Sequence, residues 1–288
     1  MSVVNTNVAA SVAQAALTRN ERALGAAMEK LSTGKRINSA ADNAAGLTIS
    51  AQLTSQIRGL GAAVSNANDA ISMVNTADGA LDEITTMLQR MRELAVQAGT
   101  GTTASTDRTY LQSEFTALRT EIDRIADNTQ WNGRNILDGS AGASTGKSTV
   151  AFGIGQDGTA AQTLSTSFGN FNNTTGKLSG LASKIITGTT IVSAITLAAA
   201  SIAEIDVVIG DVSSQRASFG AVTNRLTHAV DSLANTKINS EAARSQILDT
   251  DYAAATSELA RTQIIQQAGT AMLAQANQLP QTVLALLQ

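Results

Sequence analysis

The chain has 288 residues, a formal charge of −3, one proline and no cysteine. The missing thiols exclude disulfides and sulfur-rich zinc sites, and no basic block offers a footing for nucleic acid. Hydrophobic residues make up 43% of the chain but aromatics only 3%, so small aliphatics carry the packing, which suits closely approaching helices and argues against an aromatic-lined ligand pocket.

Residues 1–45 predict a helix with Val3, Ala10, Leu17, Leu24 and Leu31 one heptad apart, interrupted at Gly34 and followed by a turn at Asn38–Ser39. From Leu53 to Met91 the apolar residues step by four and three, through Ile57, Leu60, Val64, Ala67, Ile71, Val74, Leu81 and Leu88. That rhythm predicts a long helix over 47–97 lying along another helix, with a small kink where Asp78–Gly79 interrupts the seam. Gly99 and Gly101 end it, and Ser105 and Asp107 are candidate caps of a third helix that groups Leu111, Phe115, Leu118, Ile122 and Ile125.

Residues 138–190 are rich in Gly, Ser and Thr, and the β-like runs Ser148–Phe152 and Thr163–Phe168 predict a short hairpin or two. A fourth helix over 190–238 repeats the seam at Ile191, Ile195, Ala198, Ile202, Ile205, Ile209, Val212, Phe219, Leu226, Val230 and Leu233. A last helix over 250–286 spaces Ile265, Met272, Leu279 and Leu286 by heptads. The two ends differ in charge: five basic side chains face three acidic over 1–45, and one basic faces three acidic over 249–288. The expected fold is mainly α, a long antiparallel helical bundle or coiled coil with the terminal helices paired and a small β-hairpin region in the middle.

Chemistry is hard to find. Gly153-Ile154-Gly155-Gln156-Asp157-Gly158 matches the dinucleotide fingerprint in letters, yet a β-like run follows it and no acidic residue occurs between Asp157 and Glu204. A glycine-rich hairpin turn is the better reading. His228 lies on a helix without triad partners, and Glu93, Asp123, Asp127 and Asp211 read as solvated faces or salt links. No catalytic residue, cofactor or metal cluster is expected, and the chain is not read as an enzyme. Asn172 and Asn173 each head an Asn-x-Thr pattern of little weight. The first charge is Arg19, unlike a secretory signal. Thr262 to Gln288 lacks charged side chains but holds Gln263, Gln266, Gln267, Gln275, Asn277 and Gln278. Those amides argue against a membrane span and for burial against protein.

Leu31-Ser32-Thr33-Gly34-Lys35-Arg36-Ile37-Asn38-Ser39-Ala40, continuing through Asp42-Asn43-Ala44-Ala45-Gly46-Leu47, resembles the N-terminal signature of bacterial flagellins. Gln266-Gln267-Ala268-Gly269-Thr270, Leu273 to Gln281 and Leu284-Ala285-Leu286-Leu287 resemble the other end of that family, and Gln215 to Ala221 with Ala242 to Ser245 its inner C-terminal helix. The resemblance implies a self-polymerising filament subunit, extracellular and exported by the flagellar type III apparatus with a chaperone, meeting hook-associated and cap proteins. It implies an inner terminal domain from 1–45 and 249–288, a helical outer-tube domain from 46–137 and 196–248, and a short variable region at 138–195. Ends disordered before assembly are implied as well. Leu17, Leu24, Leu31, Ile265, Met272, Leu279 and Leu286 are the expected assembly residues. Gln89, Arg90, Leu94 and Glu114 match the patch that Toll-like receptor 5 reads in immunostimulatory members. A hook–filament junction protein is the alternative that the same signature leaves open.

Overall fold

The computed structural model describes residues 7–141, 149–155, 162–172, 176–182, 184, 186–188 and 190–286, with side chains as far as Gln278. Helices α1 (Val8–Thr33), α2 (Ala44–Ala98) and α3 (Ser105–Asn128) precede strands β1 (Gln130–Trp131), β2 (Arg134–Asn135), β3 (Thr149–Gly153) and β4 (Thr163–Ser167). A short α4 (Ser179–Ala182) and the long α5 (Ile191–Leu248) and α6 (Tyr252–Leu286) complete a mainly α fold. The chain divides into two compact units, 1–57 with 238–288, and 58–237.

In the first unit α1 and α6 pair antiparallel. Asn7 bonds to Ala276 near one end, Asn20 to Thr262 midway, and the Gly34 carbonyl accepts from the Thr250 N–H at the other end. Local chemistry sets the helix limits. The Asn7 carboxamide accepts from the Ala10 N–H at 3.0 Å and starts α1. Gly34, at φ +69°, ends it in the left-handed conformation, with its N–H on the Lys30 carbonyl. Asn43 caps α2 through the Gly46 N–H at 2.9 Å, and Asp251 caps α6 through the Ala253 N–H at 2.8 Å.

The 58–237 unit packs its stretches of α2 and α5 with α3 and the hairpins around one core. Leu81, Ile84, Leu88, Met91, Phe115, Phe168, Phe171 and Phe219 are wholly buried there. Most of the four-three seam on α2 is inside: Leu60, Ala67, Val74, Leu81, Leu88 and Met91 are buried. α2 continues through Asp78–Gly79 as one helix, and the Asp78 charge is met by Arg216 at 2.9 Å.

The seam on α5 is correct from Ala198 onward and wrong before it. Ile191 and Ile195 are exposed, and Ala194 is buried instead. The reason is that α2 stops at Ala98, and the following Gly99 already lies against Ala198, with a Cβ there only 3.4 Å from the alanine methyl. The first turns of α5 have passed the end of their neighbour. A window of α5 reaches mean hydropathy 1.9, long and apolar enough by composition to cross a membrane, and 28% of it is buried, with Ala198, Ile205 and Val208 inside and Val192 and Val207 exposed.

Ser105 is the first residue of α3 rather than its cap. Ala104 holds the cap position without a side-chain bond, and Asp107 sits in the acidic-favouring first turn. β1 and β2 form a tight hairpin on Asn132 and Gly133, both at positive φ, the geometry of a type I′ turn. β3 and β4 pair antiparallel from Thr149↔Ser167 to Gly153↔Thr163, so the fingerprint-like stretch begins at the end of one strand and leads to its antiparallel partner. Gln156 to Gly158 lie outside the described residues.

Candidate functional site

The α1–α6 pair is built from layers. Leu17 sits on Gly269, where a Cβ would come within 2.9 Å of its Cδ1. Asn20 shares the next layer with Gln266. Stepping by heptads from these two contacts puts Leu24 level with Thr262, Ala27 with Leu259 and Leu31 with Ala255. In the other direction Ala13 is level with Leu273 and Ala10 with Ala276. Most layers set a larger side chain against a small one, which lets the helices approach closely.

The middle layer is polar. Asn20, only 8% exposed, donates through Nδ2 to the Thr262 carbonyl at 2.8 Å and to Gln266 Oε1 at 3.0 Å. Gln266 donates in turn to Glu21 Oε1 at 3.3 Å, and the buried Thr262 hydroxyl donates to the Glu258 and Leu259 carbonyls. A second amide contact closes the pair near its end. Pro280 has no N–H, so the Ala276 carbonyl has no donor four residues on. Asn7 Nδ2 donates to that carbonyl at 2.8 Å.

The expected assembly residues therefore separate. Leu17, Leu24 and Leu31 are half-buried along α1 on the seam side. Ile265 and Met272 do not join them: they are 40% and 67% exposed, beside Ile264 at 65%. The stripe of Ala255, Leu259, Thr262, Gln266, Gly269, Leu273 and Ala276 faces α1, and Ile265 and Met272 lie to one side of it, in solvent. The side chains of Leu279 and Leu286 lie outside those described.

The signature at 34–46 is a hub of backbone bonds. Arg36 donates from its guanidinium to the Ile247 and Gln246 carbonyls at 2.7 and 3.3 Å, and from its N–H to the Leu248 carbonyl, so it caps the C-terminus of α5. Ile37 is buried, and a Cβ at Gly46 would meet its Cδ1 at 2.6 Å. Asp42 Oδ2 accepts from the Ser39 and Asn38 N–H groups, which hold its carboxyl below the ordinary carboxylate pKa.

In the other unit, Gln89 and Arg90 are exposed, and Arg90 bridges Glu114 at 2.8 Å and Glu93 at 3.1 Å. Those hydrogen bonds, the one to Glu114 foremost, raise the Arg90 pKa. Leu94 does not belong to this surface: it is 0% exposed and part of the core. Its position continues the buried ridge of Leu81, Ile84, Leu88 and Met91. His228 is exposed on α5, and no group of three metal-ligating side chains occurs among the described residues. Sequence reading missed Asn7 and Asn20, although a polar residue at a seam position was the available signal.

Comparison with known proteins agrees with this architecture. The family model of the bacterial flagellin N-terminal helical region matches residues 4–142, and that of the C-terminal helical region matches 202–287. Flagellin from Bacillus subtilis is 41% identical over 306 aligned residues, covering 99% of each chain. Flagellin A from Vibrio cholerae is 35% identical over 375 aligned residues, again covering 99% of each. A solved structure described as a putative flagellar hook-associated protein from Vibrio parahaemolyticus aligns at TM-score 0.60, covering 72% of this chain and 100% of that one. At 14% identity that likeness shows the fold alone. With both helical regions matched and relatives similar along its whole length, the chain belongs to the bacterial flagellin family, the structural subunits of the flagellar filament.

Proposed function

We propose that the subunit joins the filament through the face of α6 that α1 leaves uncovered. The observation that carries this reading is the placement of Ile264, Ile265 and Met272 in solvent, on a stretch with no charge beyond Arg261. Large aliphatic side chains clustered on the open face of an already paired helix mark a surface that another chain covers. The terminal segments 1–45 and 249–288 form the inner domain in this reading, 46–137 and 196–248 the outer tube, and 138–195 the variable region. Family membership supports the further parts of this reading: export through the type III apparatus with a chaperone, an extracellular location, and contact with hook-associated and cap proteins. The junction-protein alternative has less support, since the full-length likeness is to flagellins.

Removing residues 262–288 tests the reading. The shortened chain fails to extend filament seeds, while the melting transition of the 58–237 unit stays in place. Normal growth from seeds refutes it. Recognition by Toll-like receptor 5 is a separate proposal that rests on Gln89, Arg90 and Glu114, with Leu94 acting only through packing.

A further inference from the structure

α6 can offer α1 two stripes of similar apolar content. The seam in use joins Ala255, Thr262, Gly269 and Ala276 to Leu259, Gln266 and Leu273, and turning the helix by about 50° would exchange the last three for Glu258, Ile265 and Met272. Hydrophobic burial alone does not choose between Leu259 with Leu273 and Ile265 with Met272. Leu17, Leu24 and Leu31 meet Gly269, Thr262 and Ala255 in either setting, so they are not selective.

One layer reads the difference. Asn20 is buried, and both of its Nδ2 hydrogen bonds go to the seam stripe, to the Thr262 carbonyl and Gln266 Oε1. With α6 turned, Asn20 would face Ile265 and lose Gln266, leaving a buried amide without that partner. A single polar residue in a helical seam is a known means of fixing how two helices face each other, at some cost in stability.

We propose that Asn20 and Gln266 are specificity-determining residues for assembly: they hold the seam stripe of α6 against α1 and so keep Ile265 and Met272 free for a neighbouring subunit. The second half rests on the proposed assembly face; the first does not.

The chain has no native cysteine, so introduced pairs report orientation directly. Ala27→Cys with Leu259→Cys captures the seam orientation, and Ala27→Cys with Glu258→Cys captures the turned one, each pair level along the axis and away from the proposed assembly face. Each pair is placed in the full chain, with and without Asn20→Leu, and oxidised during growth from seeds in excess unmodified subunit. With Asn20 present, the 27–259 bond forms in pelleted filaments. With Asn20→Leu, the 27–258 bond replaces it, the chain stays in the supernatant, and incorporation falls about tenfold or more, the scale set by one unpaired buried amide. Exchanging the amides, Asn20→Gln with Gln266→Asn, restores both readouts, which mere loss of packing would not allow. An Asn20→Leu chain that still forms only the 27–259 bond overturns the inference, and so does a chain with Asn20 that never forms it. A switch to the 27–258 bond with undiminished incorporation upholds the role of Asn20 and refutes the assembly face.

Discussion

In the 58–237 unit four phenylalanines and a run of leucine, isoleucine and methionine side chains are fully buried, and Phe168 and Phe219 meet at 5.1 Å between ring centres. The seam of the α1–α6 pair instead holds Ala, Gly, Thr, Asn and Gln beside its leucines, and those leucines are only half-buried. Both regions are long helices packed at close quarters. They differ in where burial is completed: inside the chain for the first and, on the proposed assembly face, with another chain for the second. Ordering a residue costs about 1–2 kcal/mol of conformational entropy. A two-helix pair with small faces offsets that poorly, so its folding depends on what else covers it.

The contrast breaks most sharply at the core. Phe219→Ala should cost the 58–237 unit about 3–5 kcal/mol in urea unfolding. Leu24→Ala should cost the terminal pair far less in the monomer and register mainly as slower growth from seeds. A Leu24→Ala loss equal to that of Phe219→Ala would erase the distinction.

Leu94 and Arg90 sharpen it within one turn of α2. Leu94→Ala opens a core cavity and should lower stability by about 2–5 kcal/mol. Arg90→Ala removes exposed ion pairs and should leave the melting temperature nearly unchanged while abolishing any receptor signalling. Loss of signalling with Leu94→Ala counts as surface recognition only if the melting temperature holds.

The smallest effect lies in the 34–46 loop. Backbone hydrogen bonds from Ser39 and Asn38 lower the Asp42 pKa, so its contribution is fully present above the unfolded carboxylate value and lost as pH falls through the folded one. Amide exchange at Asn38 and Ser39 should accelerate below about pH 4, where an ordinary Asp titrates. A rate following only the intrinsic pH dependence of exchange would show the contact to be idle.

Much of this was legible in the residues. Strict four-three spacing located α2 and most of α5, and Gly34 marks the end of α1 by ordinary capping chemistry. The facing of α6 was not legible, because the heptad of Ile265 and Met272 competes with that of Leu259 and Leu273, and spacing alone does not say which of the two meets α1. Ile191 and Ile195 misled for a different reason. A seam needs a neighbour, and sequence spacing on α5 does not say where α2 ends. Leu94 reads as a surface residue by resemblance and as core by its spacing from Leu81, Leu88 and Met91, and spacing was the better guide.

The chain's single proline lies inside α6, in the segment where sequence reading expects burial against other subunits. A helix containing proline carries one carbonyl that its own ladder does not satisfy, and here the missing donor is supplied by Asn7 from the opposite end of the sequence. α6 is thus an unfinished helix when alone and a finished one only with α1 beside it. Truncating the first few residues should therefore loosen the last few, so that the two ends of the chain share one point of failure for proteases and for assembly alike.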